Sequence, residues 1–459
     1  MSVTTGPTTA AENLARVFKA YDVRGTVPDQ VDEELATAVG NAFVRVVEAA
    51  DVVVGHDMRP SSPGMAAAFA AGAAAAGADV TMIGLASTDQ LYFASGRFGC
   101  PGAMVTASHN PARYNGIKLC RAQAAPVGAD TGLREIQALV AAGRRFTAER
   151  PGDVTDRDVL TAYADHLLRL APVTGRRLKV AVDAGNGMAG HTAPAVLGRL
   201  DVDVVPLYFE LDGNFPHHEA NPIEPENLRD LQAAVTASGA DIGLAFDGDA
   251  DRCFVVDERG ETVSPSVLTA LIGARELEKH PGSSVIHNLI TSRAVPQIVT
   301  EHGGVPVRSR VGHSYIKATM AETDAVFGGE HSGHFYFREF WRADSGMLAA
   351  LHTLAALAEQ DRPLSGLLEN YTRFAASGEI NSTVEDQAAV LARVEAAFAG
   401  EPEAEVDHLD GLTVTAPRWW FNVRASNTEP LLRLNAEGED QRTMEDLRDT
   451  VLAMIRSGA

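Results

Sequence analysis

Cysteine is scarce in this chain, and what there is does not pair. The three cysteines, Cys100, Cys120 and Cys253, are an odd number with no Cys-x-x-Cys spacing, which argues against a disulfide framework and a structural zinc site and fits a reducing, cytoplasmic compartment. Positive charge is also short. Against 61 aspartates and glutamates stand 39 lysines and arginines, a formal net charge of −22, which speaks against non-specific binding to nucleic acid or to an anionic membrane. An anionic ligand would therefore need cations concentrated locally. Long apolar runs are missing as well: the longest uncharged stretch, residues 60–78, is mostly alanine and glycine, which suits a closely packed helix better than a membrane span. The threonine-rich residues 1–9 carry no positive charge ahead of an apolar core and read as a loose arm, not a signal peptide.

What is present is ordinary globular material in quantity. A chain of 459 residues, 45% hydrophobic and 22% charged, is too long for one core and implies three or four domains. Short apolar runs at 51–55, 79–85 and 101–106 alternate with helical patterns, the signature of a parallel sheet with helices on its faces. An Arg/Gly-rich stretch at 142–151 marks a first boundary. Beyond it the pattern repeats, with strands at 178–184, 202–207 and 242–246, then at 284–289 and 305–311. From about 374 short strands outnumber helices. The predicted division is 1–150, 151–256, 257–372 and a smaller α+β domain at 373–459.

Four stretches carry chemistry. Val105-Thr106-Ala107-Ser108-His109-Asn110-Pro111 sets a serine hydroxyl beside a histidine at the carboxyl end of a strand, where open α/β sheets bind ligands. Asp247-Gly248-Asp249-Ala250-Asp251-Arg252 follows another strand, and alternate residues on an extended segment would bring three carboxylates to one hard cation. An EF-hand reading finds Glu258 at the twelfth position, but it meets Arg252 where that loop needs glycine, and strands where it needs helices. Gly329-Glu330-His331-Ser332-Gly333-His334 offers a carboxylate and a hydroxyl that can read neighbouring sugar hydroxyls. Arg424-Ala425-Ser426-Asn427-Thr428 combines a guanidinium, hydroxyls, an amide and backbone N–H groups, a cradle for an anion. A fifth stretch competes. Gly185-Asn186-Gly187-Met188-Ala189-Gly190 matches the Gly-x-Gly-x-x-Gly dinucleotide fingerprint, with Glu210 downstream, although small residues between a strand and a helix also serve plain close packing.

Together, and in this order, the four stretches resemble the α-D-phosphohexomutase family, in particular its bacterial phosphomannomutase/phosphoglucomutase group, over nearly the whole chain. The resemblance implies an α/β fold of four domains around a central cleft, three with related mixed topology. It also implies an isomerase, an intramolecular phosphotransferase that converts hexose 6-phosphate to hexose 1-phosphate through a phosphoserine and a 1,6-bisphosphate. By resemblance Ser108 is the phosphoserine and, with Asp247, Asp249 and Asp251, binds Mg2+. Glu330 and Ser332 hold sugar hydroxyls, and Arg424, Ser426, Asn427, Thr428 and Arg433 hold the phosphate that is not reacting. Arg24, His109, Lys118, Arg252, His313 and His334 line the reacting end. Hexose 1,6-bisphosphate is the implied activator, hexose phosphates are the only implied partners, and the chain is expected to be a monomer or weak homodimer. Two departures bear on the sugar. His331 stands where dual-specificity relatives typically carry methionine, and the segment 287–293 lacks a lysine that some relatives have.

Overall fold

The computed structural model describes residues 10–425 and 431–457. Within it the alanine-rich run becomes the helix Ser62–Ala75, lying against the helix Glu33–Val47. A β-carbon on Gly72 would stand 2.0 Å from the Thr37 carbonyl oxygen, and one on Gly40 would stand 2.2 Å from that of Phe69. The two backbones touch where only glycine fits, so the small residues serve close packing. Among the described residues no helix is long and apolar enough to cross a membrane.

The chain divides into two compact units, Met1–Pro265 with Ser332–Leu367, and Ser266–His331 with Leu368–Ala459. The first unit holds two sheets built on one plan. In one, the parallel strands Gly102–Val105, Asp51–His56, Asp79–Leu85 and Val154–Asp156 are extended by two antiparallel strands, Tyr114–Cys120 and Asp22–Thr26. In the other, Ile242–Phe246, Leu178–Asp183 and Val202–Leu207 run parallel, and Cys253–Asp257 and Thr262–Val263 continue antiparallel. These sheets are mixed, where the strand–helix alternation alone predicts a parallel sheet. Two of the antiparallel strands, Tyr114–Cys120 and Cys253–Asp257, follow their parallel neighbours after short loops, and those loops are the Ser108 and Asp247–Asp251 stretches. The hairpin Phe335–Phe337 with Ala343–Asp344 also belongs to this unit.

The second unit has a parallel trio, Val305–Ser309, Ser284–Asn288 and Phe327–Gly329. It also has a five-stranded antiparallel sheet, Ala375–Thr383, Leu431–Gly438, Trp419–Ala425, Leu412–Ala416 and Glu405–Asp407. The helices Gln387–Phe398 and Gln441–Arg456 accompany that sheet through a core that includes Val394, Phe421, Leu434 and Val451.

Among the helices that the pattern reading passes over are Thr88–Phe98 and Gly346–Ala358. Nearly every residue of the first and every residue of the second is buried, so neither shows the one-sided apolar stripe that betrays a surface helix. The glycine fingerprint resolves as packing. A β-carbon on Gly190 would meet the Phe209 carbonyl oxygen at 2.2 Å, and one on Gly187 would meet that of Gly248 at 2.7 Å. The glycines fit the helix Ala189–Leu197 tightly among its neighbours.

Candidate active site

The chain leaves the strand Gly102–Val105 and turns at once. Ser108, 4% exposed, has φ +51°, a left-handed conformation rare for a residue with a side chain and tolerated where surrounding contacts enforce it. Its N–H donates to Thr106 Oγ1 at 2.9 Å, and its hydroxyl donates to Asp247 Oδ2 at 2.8 Å with His109 Nδ1 3.2 Å away. The turn is held from behind by Arg59, whose guanidinium donates to the carbonyls of Ser108, Asn110, Pro111 and Tyr114. Arg24 donates to the Asn110 side chain at 2.6 Å and to Asp22.

Asp247, Asp249 and Asp251 lie on the loop after Ile242–Phe246, fully buried, with ligand oxygens all within 4.8 Å of one another. They converge because the loop turns, with Ala250 N–H donating to the Asp247 carbonyl and Ala250 at φ +60°. Alternation along an extended segment, the expected cause, plays no part. Three anions so close need counter-charge. Lys118 supplies some, reaching Asp249 at 2.7 Å and Asp251 at 2.6 Å, and Arg252 donates to Asp247 at 2.9 Å. Burial pushes Asp247 up to about 7, with Arg252 opposing the rise and Asp251 and Asp249 adding to it. For Asp249 burial works the same way, but Lys118 and the Thr88 hydroxyl at 2.6 Å outweigh it and hold the carboxyl well below the usual range. Oδ1 of Asp249 and Oδ1 of Asp251 are buried with no hydrogen-bond partner. Unpaired buried carboxylate oxygens are what a bound cation would satisfy, so the donor set fits a hard divalent ion. Glu258 instead accepts from the Ser365 backbone and hydroxyl, which removes the EF-hand reading.

Two histidines flank these groups. Burial, Arg252 and Arg24 hold His109 well below its usual pKa, and its Nδ1 accepts from Arg252. His334 Nδ1 lies 2.9 Å from Asp344 Oδ2 and 3.8 Å from Asp251 Oδ1. Burial alone would lower its pKa, but Asp251 and Asp344 reverse the sign and raise it. Asp251, His334 and Asp344 form a second group of metal-capable ligands. Ser332 is half-buried in this same unit.

In the second unit Glu330 is 2% exposed and accepts from the Gly312 N–H at 3.3 Å and the Asn288 amide at 3.5 Å. Arg424 and Arg433 are register partners on adjacent strands. Glu379 lies between them, accepting from Arg424 at 2.9 Å and from Arg433 at 3.4 Å. Burial lowers the pKa of His331, and Arg424 adds to this against Glu379. His313 opens the helix His313–Thr323, but its side chain lies outside the described residues, as do Ser426, Asn427 and Thr428.

Comparison with known proteins bears on the whole chain. Four phosphoglucomutase/phosphomannomutase models match in succession: α/β/α domain I at residues 15–145, domain II at 161–260, domain III at 264–374 and the C-terminal domain at 379–454. The chain belongs to the phosphoglucomutase/phosphomannomutase family. Among the relatives of this phosphohexomutase, a protein described as phosphohexose mutases from Xanthomonas campestris pv. campestris is 41% identical over 444 residues, covering 96% of this chain and 99% of that one. A phosphomannomutase of Salmonella typhimurium is 41% identical over 449 residues, covering 95% and 98%. A solved family member from Burkholderia thailandensis superposes with a TM-score of 0.88 at 33% identity, covering 96% and 98%. The chain is thus an isomerase of hexose phosphates, with three mixed α/β domains and a β-rich C-terminal one.

Several side chains that touch the candidate residues of each unit escape sequence reasoning. Arg59, Thr88 and Glu379 each touch a motif residue from 45 or more positions away, and Asp344 lies ten from its histidine. The buried arginine in Asp57-Met58-Arg59 was the one available signal, since a guanidinium so close to an aspartate after a strand is poorly placed for solvent.

Proposed function

We propose that this mutase interconverts hexose 6-phosphate and hexose 1-phosphate, with mannose and glucose as its sugars, through phosphoserine at Ser108. The observation that carries the reading is the Ser108 hydroxyl, held in a strained turn against a buried triad of aspartates, with Arg252 on Asp247, Lys118 on Asp249 and Asp251, and Arg24 on Asn110. Phosphoryl transfer needs little covalent help from the protein; it needs positioning and charge. Phosphoserine would donate to the free hydroxyl of the monophosphate, giving a 1,6-bisphosphate, which reorients and returns its other phosphate to Ser108.

Asp247, Asp249 and Asp251, together with the Ser108 oxygen, would hold Mg2+, which supplies positive charge to the phosphoryl group in flight. Arg24 and Arg252 add fixed charge beside Ser108. Lys118, engaged by Asp249 and Asp251, would be released toward phosphate when a cation takes those carboxylates. His109, kept neutral by its surroundings, and His334, held by Asp344, are the groups available to move the hydroxyl proton. Glu330 and Ser332 would hold sugar hydroxyls, His313 would contribute at the reacting end, and Arg424, Ser426, Asn427, Thr428 and Arg433 would hold the distal phosphate. Hexose 1,6-bisphosphate would act as activator and the chain as a monomer or weak homodimer in the cytoplasm. The motifs would fall in domains at 1–150, 151–256, 257–372 and 373–459.

The test is an intact-mass spectrum of the purified chain, before and after incubation with glucose 1,6-bisphosphate, beside Ser108→Ala. One added phosphate on the wild type and none on an inactive, folded variant is the expected result. Mutase activity in Ser108→Ala would overturn it.

A further inference from the structure

We propose that Arg59 is a positioning residue for phosphoryl transfer, holding the Ser108 turn in the left-handed conformation that directs its hydroxyl at Asp247. The inference rests on the reading of Ser108 as phosphoryl carrier. A guanidinium has five N–H donors in a rigid plane, and every one of them is engaged. Nε donates to Asp57 Oδ2 at 3.2 Å, Nη1 to the Pro111 and Tyr114 carbonyls at 3.0 Å each, and Nη2 to the Ser108 and Asn110 carbonyls at 2.9 and 2.7 Å. Three of the five go to one short loop, the one that carries the serine, and a fourth to Tyr114, where the next strand begins. A guanidinium whose task was only to balance Asp57 would have no reason to spread over that loop.

The anchor is itself immobilised. Asp57 also accepts from the Arg59 backbone N–H at 3.0 Å and the Ser62 hydroxyl at 2.5 Å, and Arg59 is 1% exposed. The Phe215 ring covers the guanidinium, 5.1 Å from its carbon to the ring centre. A β-carbon on Gly213 would stand 2.5 Å from the Arg59 Cα, so the chain from the second sheet presses directly on the anchor. Strain at Ser108 persists only while its surroundings enforce it, and this arginine holds the backbone from Ser108 to the start of the next strand at four points. Lysine, a single ammonium on a flexible stem, cannot reproduce that planar set of contacts.

The experiment compares Arg59→Lys and Arg59→Gln with wild type as full chains in Mg2+, measuring fold by circular dichroism, kcat and KM, and phosphate transfer from glucose 1,6-bisphosphate to Ser108 by mass. Expected is a fall in kcat of about tenfold or more, slower phosphorylation of Ser108 and little change in KM, because a misplaced reacting atom costs rate before it costs binding. A folded Arg59→Lys with wild-type kcat, or a raised KM at unchanged kcat, would overturn the proposal. If neither variant folds, Phe215→Ala, which removes the ring that holds the guanidinium against the loop and so loosens its hydrogen bonds, takes their place. A smaller loss of kcat at constant KM supports the proposal there, and wild-type kcat overturns it. Full activity of Ser108→Ala would instead mark failure of the phosphoserine reading, so the two failures are separable.

Discussion

Replacing Asp89 with asparagine tests the electrostatics of the first unit without touching the chemistry. Asp89 is fully buried at the start of the helix Thr88–Phe98. Its carboxylate accepts from the Tyr163 hydroxyl at 2.7 Å, the Ser345 hydroxyl at 2.6 Å and the Ser87 hydroxyl. Burial raises it to about 6, against the lowering effect of those three hydroxyls and with Asp251 adding to the rise. The folded carboxyl thus holds its proton more tightly than the unfolded one, whose ordinary value is 3.8. Below that value both states are protonated and the group costs nothing. Between that value and about 6 the unfolded carboxyl ionises while the folded one keeps its proton, so about 3 kcal/mol of stability is lost by the time pH has risen through 6, at about 1.4 kcal/mol per tenfold in proton affinity, and the loss is constant above it. Asparagine keeps the shape and an acceptor oxygen and cannot ionise, so any hydrogen-bond cost it brings is independent of pH. Melting temperatures of both proteins between pH 4.5 and 8 supply the measurement. The variant should gain on wild type by about 3–5 °C across that range. A gap that stays flat, or moves against the variant as pH rises, would refute the reasoning.

Adding Mg2+ to chelator-treated protein should raise its melting temperature, by the equivalent of about 3 kcal/mol at a hundredfold excess over Kd, and Asp249→Asn should lose most of that shift; equal shifts would remove the cation from this loop. Glu379→Gln takes away the carboxylate between Arg424 and Arg433. With each partly exposed pair worth about 0.2–1 kcal/mol, steady-state kinetics should show a severalfold lower KM for hexose phosphate, whereas a raised KM would mean that Glu379 places the guanidinia instead of competing for them. Gly72→Ala should cost about 1–3 kcal/mol in denaturant unfolding, since its β-carbon meets the Thr37 carbonyl oxygen; an unchanged midpoint would show slack between the two helices. Initial rates on mannose 1-phosphate and glucose 1-phosphate should lie within about a thousandfold of each other, roughly 4 kcal/mol in the transition state, and a wider ratio would mean that a residue here reads the C2 hydroxyl.

What the sequence determined by itself is local. Strands 79–85, 202–207 and 242–246 were legible to the residue because short apolar runs bounded by polar ones have few other ways to bury themselves. The aspartate loop and the Ser108 turn were legible because each packs its chemistry into a few consecutive residues. The buried helices Thr88–Phe98 and Gly346–Ala358 left no periodic trace, and the antiparallel strands depended on which way the chain turned after each loop. Tertiary structure alone decided how the site is armed. Lys118 meets Asp249 across 131 positions, Thr88 meets the same carboxylate across 161, and Arg59 reaches the Asn110 carbonyl across 51. A hydrogen bond between distant residues has no spacing rule to reveal it, because the partner is set by how whole sheets and helices pack. The sequence could therefore offer the candidate serine and carboxylates and, by resemblance, Lys118 and Arg252, but not the arginine behind the serine's turn or which carboxylate each cation meets.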